Sequence, residues 1–378
     1  MYFFKRFVVI SLAMLFTGAF TGVKKDLSID CTSYILMEAD TCTVLDEKSS
    51  DMRCNAGYLS KLMSILLIAE DIAAGEYSLS EELAASESVR ETKGAVIWLE
   101  SGDKLSVDEL LKSVIVGNAN DAMTVLAERA SGSIEQFVMD MNAKAFDLGL
   151  KNTRFNSPWG YYDEYEYTSA RDVAVICAEL LKYDDVMPYF SIWRDFVKDG
   201  QVELVNENTM MNSFSKHIGF KACHNDKTGY CIAECGKEDD GAVFIAVIIG
   251  AADENSLFSL AKQLVKKGLK EYKVVTTMFP DEMLMPVKVR NGTESAVEIG
   301  IAKQGKAVID KRGGELIARI VIPDYLDAPV ERGQPVGTAA FYNEDTLVYE
   351  TNIITVSGVA SLSISHVFKS LLSKMMGK

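Results

Sequence analysis

Histidine is scarce in this chain: His217, His224 and His366 are the only three among 378 residues. A serine–histidine triad or a multi-histidine metal site therefore has few candidates. Positive charge is also short, with Lys+Arg 39 against Asp+Glu 54 and a formal net charge of −15. A general nucleic-acid binder, which needs a basic surface to displace counterions from phosphates, is excluded. So is a disordered chain, because 48% hydrophobic residues is more than a sequence unable to bury a core would carry. The seven cysteines are an odd number, so disulfides cannot account for all of them, and no Cys-x-x-Cys pair is present. The length suits two or three domains.

At the start, Lys5 and Arg6 precede an apolar run from Phe7 to about Phe16 and the small residues Thr17, Gly18 and Ala19. A short positive region, an apolar stretch too short to span a bilayer and a small-residue end predict a secretory signal peptide over 1–21, with an uncleaved anchor as the other reading. Either way the rest of the chain works outside the cytoplasm. In the last segment, 359–378, the residues Val367, Phe368, Leu371, Leu372, Met375 and Met376 fall at helical spacing, with Lys369, Lys374 and Lys378 on the remaining face. An apolar stripe edged with lysines predicts an amphipathic helix at a membrane surface, and docking on a protein is the alternative.

Between the ends, alternation from Cys31 to Leu45 around Glu38-Ala39-Asp40-Thr41 predicts a β-hairpin. Leu62, Ile65, Leu66, Ala69 and Ile72 are spaced as one helix face, and Gly75 suits its stop. Helical patterns recur at 107–116, 121–130, 134–148, 170–181 and 257–269, and 243–249 is a buried strand by composition. After Tyr272 the texture becomes short β-prone runs broken by Asn-Gly, Gly-Gly and Pro, which predicts a separate all-β domain.

Several local stretches belong together: the hairpin Ser33–Thr41, Ile97-Trp-Leu-Glu-Ser-Gly102, Leu110-Leu111, Asn120-Asp-Ala122, Leu126-Ala-Glu128, Met141-Asn-Ala-Lys-Ala145, Leu148-Gly149, Thr168-Ser-Ala-Arg-Asp172, Ala328-Pro-Val330 and Gly333-Gln-Pro-Val-Gly337. Over nearly the whole chain they resemble the serine-type D-alanyl-D-alanine carboxypeptidases, the low-molecular-mass penicillin-binding proteins of peptidase family S11. The resemblance implies an α/β (α+β) penicillin-binding, β-lactamase-like peptidase domain over 22–272, with an antiparallel sheet flanked by helices. It further implies a small C-terminal β-sandwich domain over 273–358, and no cofactor or metal.

Active members carry Ser-x-x-Lys at a helix start, Ser-x-Asn on a loop between helices and Lys-Thr-Gly on a strand. The first serine attacks the carbonyl before the terminal D-alanine, and its unprotonated lysine takes the proton. Here each motif is altered. Gly57-Tyr58-Leu59-Ser60-Lys61 keeps the lysine as Lys61 but puts Tyr58 at the nucleophile position. A phenol oxygen lies several ångströms beyond a serine hydroxyl, and misplacement by about 1 Å is already costly. The second motif reads Asn118-Ala119-Asn120, which keeps Asn120 and replaces a proton-relaying hydroxyl by an amide.

A literal Lys227-Thr228-Gly229 is present, but its neighbours assign the third motif to Lys221-Ala222-Cys223 and make Lys227–Gly229 a turn. Ala222 then lacks the hydroxyl that contacts the substrate carboxylate, and Cys223 adds a side chain where the family has glycine. Ser101/Lys104, Ser213/Lys216 and Ser259/Lys262 also match Ser-x-x-Lys, yet none stands at the family's helix start. Ser60 lies about 200° round the helix from Tyr58 and should face elsewhere.

Cys223 and Cys231 are equidistant from Lys227, so a hairpin centred there sets them opposite each other, either as a disulfide or as two free buried thiols. Zinc at Cys223, His224, Cys231 and Cys235 is disfavoured, because alternation puts Cys223 and His224 on opposite faces. The leading reading is a cell-envelope protein on the outer face of the cytoplasmic membrane, with an inactive peptidase centre that binds peptidoglycan stem peptides or a cell-wall enzyme. The rival reading is an active carboxypeptidase working through a rearranged site.

Overall fold

The computed structural model describes residues 5–10, 30–160, 164–279, 284–313 and 316–364. Two compact units divide between Lys270 and Glu271, and the N-terminal strand β1 (Lys5–Ile10) belongs with the second.

The first unit opens on the predicted hairpin, β2 (Cys31–Glu38) and β3 (Val44–Lys48). A 3-10 turn, Gly57–Ser60, then leads into α1 (Lys61–Ala74). Leu62, Met63, Ile65, Leu66, Ile68 and Ala69 are all buried. A helix that is apolar on every side must sit inside the molecule, and α1 forms the axis of the helical cluster. Gly75 ends it at φ 77, the left-handed conformation that glycine adopts without steric cost.

A short ladder pairs β4 (Glu82–Ala84) with β5 (Lys104–Ser106). Four helices follow, α2 (Val107–Ile115), α3 (Asn120–Ser131), α4 (Ile134–Asp147) and α5 (Ala170–Leu180). Ser106 and Glu109 close a reciprocal capping box on α2, which satisfies two backbone donors that the helix leaves open. The hairpin β6 (Arg194–Val197), β7 (Val202–Val205) comes next. Then β8 (His217–Gly219), β9 (Ala222–Asn225), β10 (Gly229–Lys237), β11 (Val243–Ala251) and α6 (Glu254–Glu271) complete the unit.

The main sheet is antiparallel throughout, in the order β3-β2-β11-β10-β8, with β9 also paired to β10. Strands from both ends of the unit therefore meet, with Ile35 of β2 opposite Val247 of β11. Ile35, Met37, Ile245 and Val247 join the α1 core.

From Tyr272 to Thr355 the second unit is built of strands: β12 (Tyr272–Thr277), β13 (Val287–Arg290), β14 (Ala296–Val297), β15 (Ile299–Ile301), β16 (Gly305–Asp310), β17 (Leu316–Pro323), β18 (Tyr325–Asp327), β19 (Pro335–Asn343) and β20 (Thr346–Thr355). They form a sheet β1-β17-β19-β20-β15, a sheet β14-β13-β18 and the pair β12-β16. Val289, Ile299, Ile320, Phe341 and Ile353 belong to its core. Of the segment read as a signal peptide, only Lys5–Ile10 is described, lying antiparallel to β17. Of 359–378, residues 365–378, which hold the whole lysine-edged stripe, lie outside the described residues.

Candidate active site

The N-terminal end of α1, the loop before α3 and the edge formed by β9 bring most of the sequence-derived candidates into one place. Gly57, at φ 55, lets the chain turn sharply into the 3-10 segment, and the Asn55 side chain accepts its N–H at 3.0 Å. Tyr58 follows half-buried, and Lys61 at the first residue of α1 is fully buried. The Lys61 ammonium lies 4.1 Å from the centre of the Tyr58 ring and donates to the backbone carbonyl of Asn118. Burial pushes its pKa well below the usual lysine range, and the positive charge of Lys221 pushes the same way.

Lys221 is also buried and donates to the carbonyls of Val114 (3.2 Å) and Ile115 (2.7 Å) at the C-terminal end of α2. Those carbonyls are the negative pole of the helix, which suits an ammonium. Burial still lowers the Lys221 pKa to about 8. Asn118 sits at φ 57 with its Oδ1 buried and unpartnered. The Asn120 Nδ2 donates to the Lys93 carbonyl at 2.6 Å, while its Oδ1 has no partner either. Two buried amide acceptors are thus left open beside a buried cation, and each is costly unless something donates to it.

Cys223 faces the turn that carries Tyr58. Its thiol donates to the Ala56 carbonyl at 3.4 Å, and the backbone N–H groups of Leu59 and Tyr58 lie in electrostatic reach of the sulfur. Hydrogen bonding to Cys231 and these N–H donors hold its pKa below the ordinary thiol value, against the effect of burial. Ala222 is buried beside Cys223 and offers no polar side-chain atom. Cys231 stands opposite Cys223 in the β9–β10 register, and both thiols are free. Of the two alternatives for this pair, the structure takes the reduced one. Lys227 and Thr228 lie in the β9–β10 turn, where the Thr228 hydroxyl donates to the Asn55 carbonyl at 2.7 Å.

The decoy serines lie elsewhere: Ser101 in the turn before β5, Ser213 ahead of β8 and Ser259 on α6. Ser60 is buried, with its hydroxyl in electrostatic reach of Glu166, on the loop between α4 and α5. Glu166 was invisible in the sequence, where one acidic residue among several in Asp163–Glu166 carries no signal. Buried, it accepts from Asn156 N–H at 3.2 Å and Ser157 at 3.3 Å. Burial raises its pKa to about 7, with those hydrogen bonds opposing the shift. Gly160 of the same loop touches the Tyr58 turn so closely that a Cβ would lie 2.4 Å from the Gly57 carbonyl oxygen.

Asp121 is the second missed residue. Its carboxylate accepts from Ile97 N–H and Leu99 N–H at 3.1 and 3.0 Å. That grip holds Trp98 between them at φ 55 with its indole 71% exposed, beside the start of α3. A cavity of about 520 Å³ elsewhere in the unit is lined by Glu38, Cys42, Glu179, Lys182 and Met187 and includes none of the motif residues.

The family described as D-alanyl-D-alanine carboxypeptidase matches residues 20–253, and the domain described as penicillin-binding protein 5, C-terminal domain, matches 272–361. D-alanyl-D-alanine carboxypeptidase DacF of Bacillus subtilis is 29% identical over 334 residues, covering 87% of this chain and 85% of its own. DacC of Escherichia coli is 27% identical over 346 residues, 88% of this chain and 85% of its own. The solved structure of penicillin binding protein 5 from Haemophilus influenzae superposes with a TM-score of 0.82 at 24% identity, covering 90% of this chain and all of the other. That likeness establishes the peptidase fold with its C-terminal β domain.

Proposed function

From the premise that the chain belongs to the D-alanyl-D-alanine carboxypeptidase family, we propose that it is a non-catalytic member that binds peptidoglycan stem peptides in the cell envelope. The observation that carries this reading is the Tyr58 ring 4.1 Å from the Lys61 ammonium. A serine there would offer a hydroxyl to the lysine; the tyrosine offers a π-face and fills the space. Lys61 spends a hydrogen bond on the Asn118 carbonyl, and no hydroxyl remains at position 118 to relay a proton. Losing the nucleophile of a serine hydrolase costs a factor of about 10⁶ in turnover.

Peptide binding is supported by what survives. The buried Asn118 and Asn120 amide oxygens lack donors, so a peptide N–H that reached them on opening of the site would satisfy them. Lys61 and Lys221 keep buried amino groups at the positions the family uses, though burial lowers the pKa of both. Turnover through a rearranged site would need Ser60 or Cys223, and both side chains are buried.

The test pairs two measurements on the purified chain. A fluorescent penicillin is expected to leave no covalent label, while a stem pentapeptide ending in D-Ala-D-Ala binds by calorimetry. Labelling that disappears in Ser60→Ala or Cys223→Ala would overturn the non-catalytic reading, and absence of peptide binding would overturn the binding one.

A further inference from the structure

Cys223 and Cys231 are directly opposed across β9 and β10; each thiol donates to a backbone carbonyl, Ala56 at 3.4 Å and Gly229 at 3.8 Å, and both are free. Directly opposed residues of an antiparallel pair have Cα atoms about 4.5 or 5.5 Å apart, and both separations lie within the range a disulfide spans. The two sulfurs are not equivalent. Cys223 packs against the Tyr58 turn, bonded to the Ala56 carbonyl at 3.4 Å, with the Tyr58 and Leu59 backbone, the Lys61 and Lys221 side chains and the opposing carboxylate of Glu207 in electrostatic reach. Cys223 is itself buried, but these neighbours favour its thiolate, the form that attacks a disulfide. Cys231 is fully buried, and burial together with its contact to Cys223 keeps it protonated.

We propose that Cys223 and Cys231 form a redox-active dithiol, with Cys223 the attacking sulfur and Cys231 the resolving one, oxidised by small-molecule disulfides. In the first step the Cys223 thiolate, having given up its proton to solvent, attacks one sulfur of the oxidant and forms a mixed disulfide. The oxidant's S–S bond breaks, and one thiolate leaves and takes a proton. Cys231 then loses its proton and attacks the Cys223 sulfur. The protein disulfide forms and the second thiol leaves, so two protein thiols and one disulfide become one protein disulfide and two thiols. The site lies where the family keeps a glycine, and the proposal holds whether or not the groove binds peptide.

The sequence makes the test direct, because trypsin cuts after Lys221, Lys227 and Lys237 and places the two cysteines on separate peptides, 222–227 and 228–237. The full chain is treated with oxidised glutathione, its remaining thiols are alkylated, and the digest is read by mass spectrometry. The expected product is a 222–227/228–237 link two hydrogens lighter than the dithiol, retained in Cys235→Ser and lost in Cys231→Ser. In Cys231→Ser, peptide 222–227 should carry glutathione instead, since the resolving sulfur is gone. Recovery of both peptides alkylated after oxidation would overturn the proposal. So would a link from Cys231 to Cys54, the other thiol in electrostatic reach of Cys231, or glutathione on Cys231 rather than Cys223.

Discussion

Replacing Tyr58 by serine is not expected to restore acylation by itself, because the obstruction has a second part. In serine hydrolases the backbone N–H of the nucleophile is one of the donors that stabilise the developing oxyanion. Here the Cys223 thiol packs on the Tyr58 turn, bonded to the Ala56 carbonyl at 3.4 Å, with the Tyr58 backbone in electrostatic reach of the sulfur. Tyr58→Ser therefore supplies a hydroxyl but leaves the sulfur beside that donor, where the substrate oxygen would sit. Removing one oxyanion donor costs about 10²–10³ in turnover, roughly 3–4 kcal/mol. The double variant Tyr58→Ser/Cys223→Gly should thus be acylated by a fluorescent penicillin about 10²–10³ times faster than Tyr58→Ser. Both should remain slow, because Asn118 cannot relay a proton and general acid–base assistance is worth about 10²–10⁴.

The tyrosine also contributes to stability. Its ring and the buried Lys61 ammonium form a desolvated cation–π contact worth about 2 kcal/mol, so both variants should melt below the parent. Circular dichroism checks that they remain folded, and fluorescence of the labelled band against time gives the acylation rate constant. Equal rates in the single and double variants would refute the role given to Cys223, and labelling of the unaltered chain would refute the role given to Tyr58.

Two further predictions concern the loop that supports the Tyr58 turn. The Glu166 pKa is about 7 in the folded protein against an ordinary 4.5, so the folded state holds the proton more tightly between those values. The stability from this group is complete below pH 4.5 and is lost as pH rises through 7, a span of about 3 kcal/mol at 1.4 kcal/mol per pH unit. Glu166→Gln should lack that fall, and urea midpoints of parent and variant at pH 4.5, 6 and 8 check it; a difference independent of pH contradicts it. Gly160→Ala would put a Cβ 2.4 Å from the Gly57 carbonyl and 3.2 Å from the Tyr58 Cα, at φ 73. Since backbone gives way poorly, it should cost about 1–3 kcal/mol, and thermal melting showing no loss would contradict the close packing.

The helices were legible because their signals are local. Leu62, Ile65, Leu66 and Ala69 carry a 3.6-residue period, and Gly75 a stop, whatever else the chain does. The hairpin β6–β7 was not, because four-residue strands with half-exposed faces carry too little alternation to stand out. Neighbouring residues also assigned the third motif to Lys221–Cys223 and read Lys227–Gly229 as a turn; in the structure Lys227 and Thr228 lie in the β9–β10 turn and Gly229 opens β10.

By itself the sequence determined which side chains occupy the three motifs, and so which hydroxyls are missing. Only the tertiary structure decided what those side chains meet. Cys223 and the Ala56 carbonyl are 167 positions apart, and Lys221 reaches the end of α2 across 106. A pKa depends on burial and on charges a few ångströms away, and neither is written in local order. That is why Glu166 became visible only in the folded chain, and why an odd cysteine in a degraded motif proved to sit against the backbone of the residue that replaced the nucleophile.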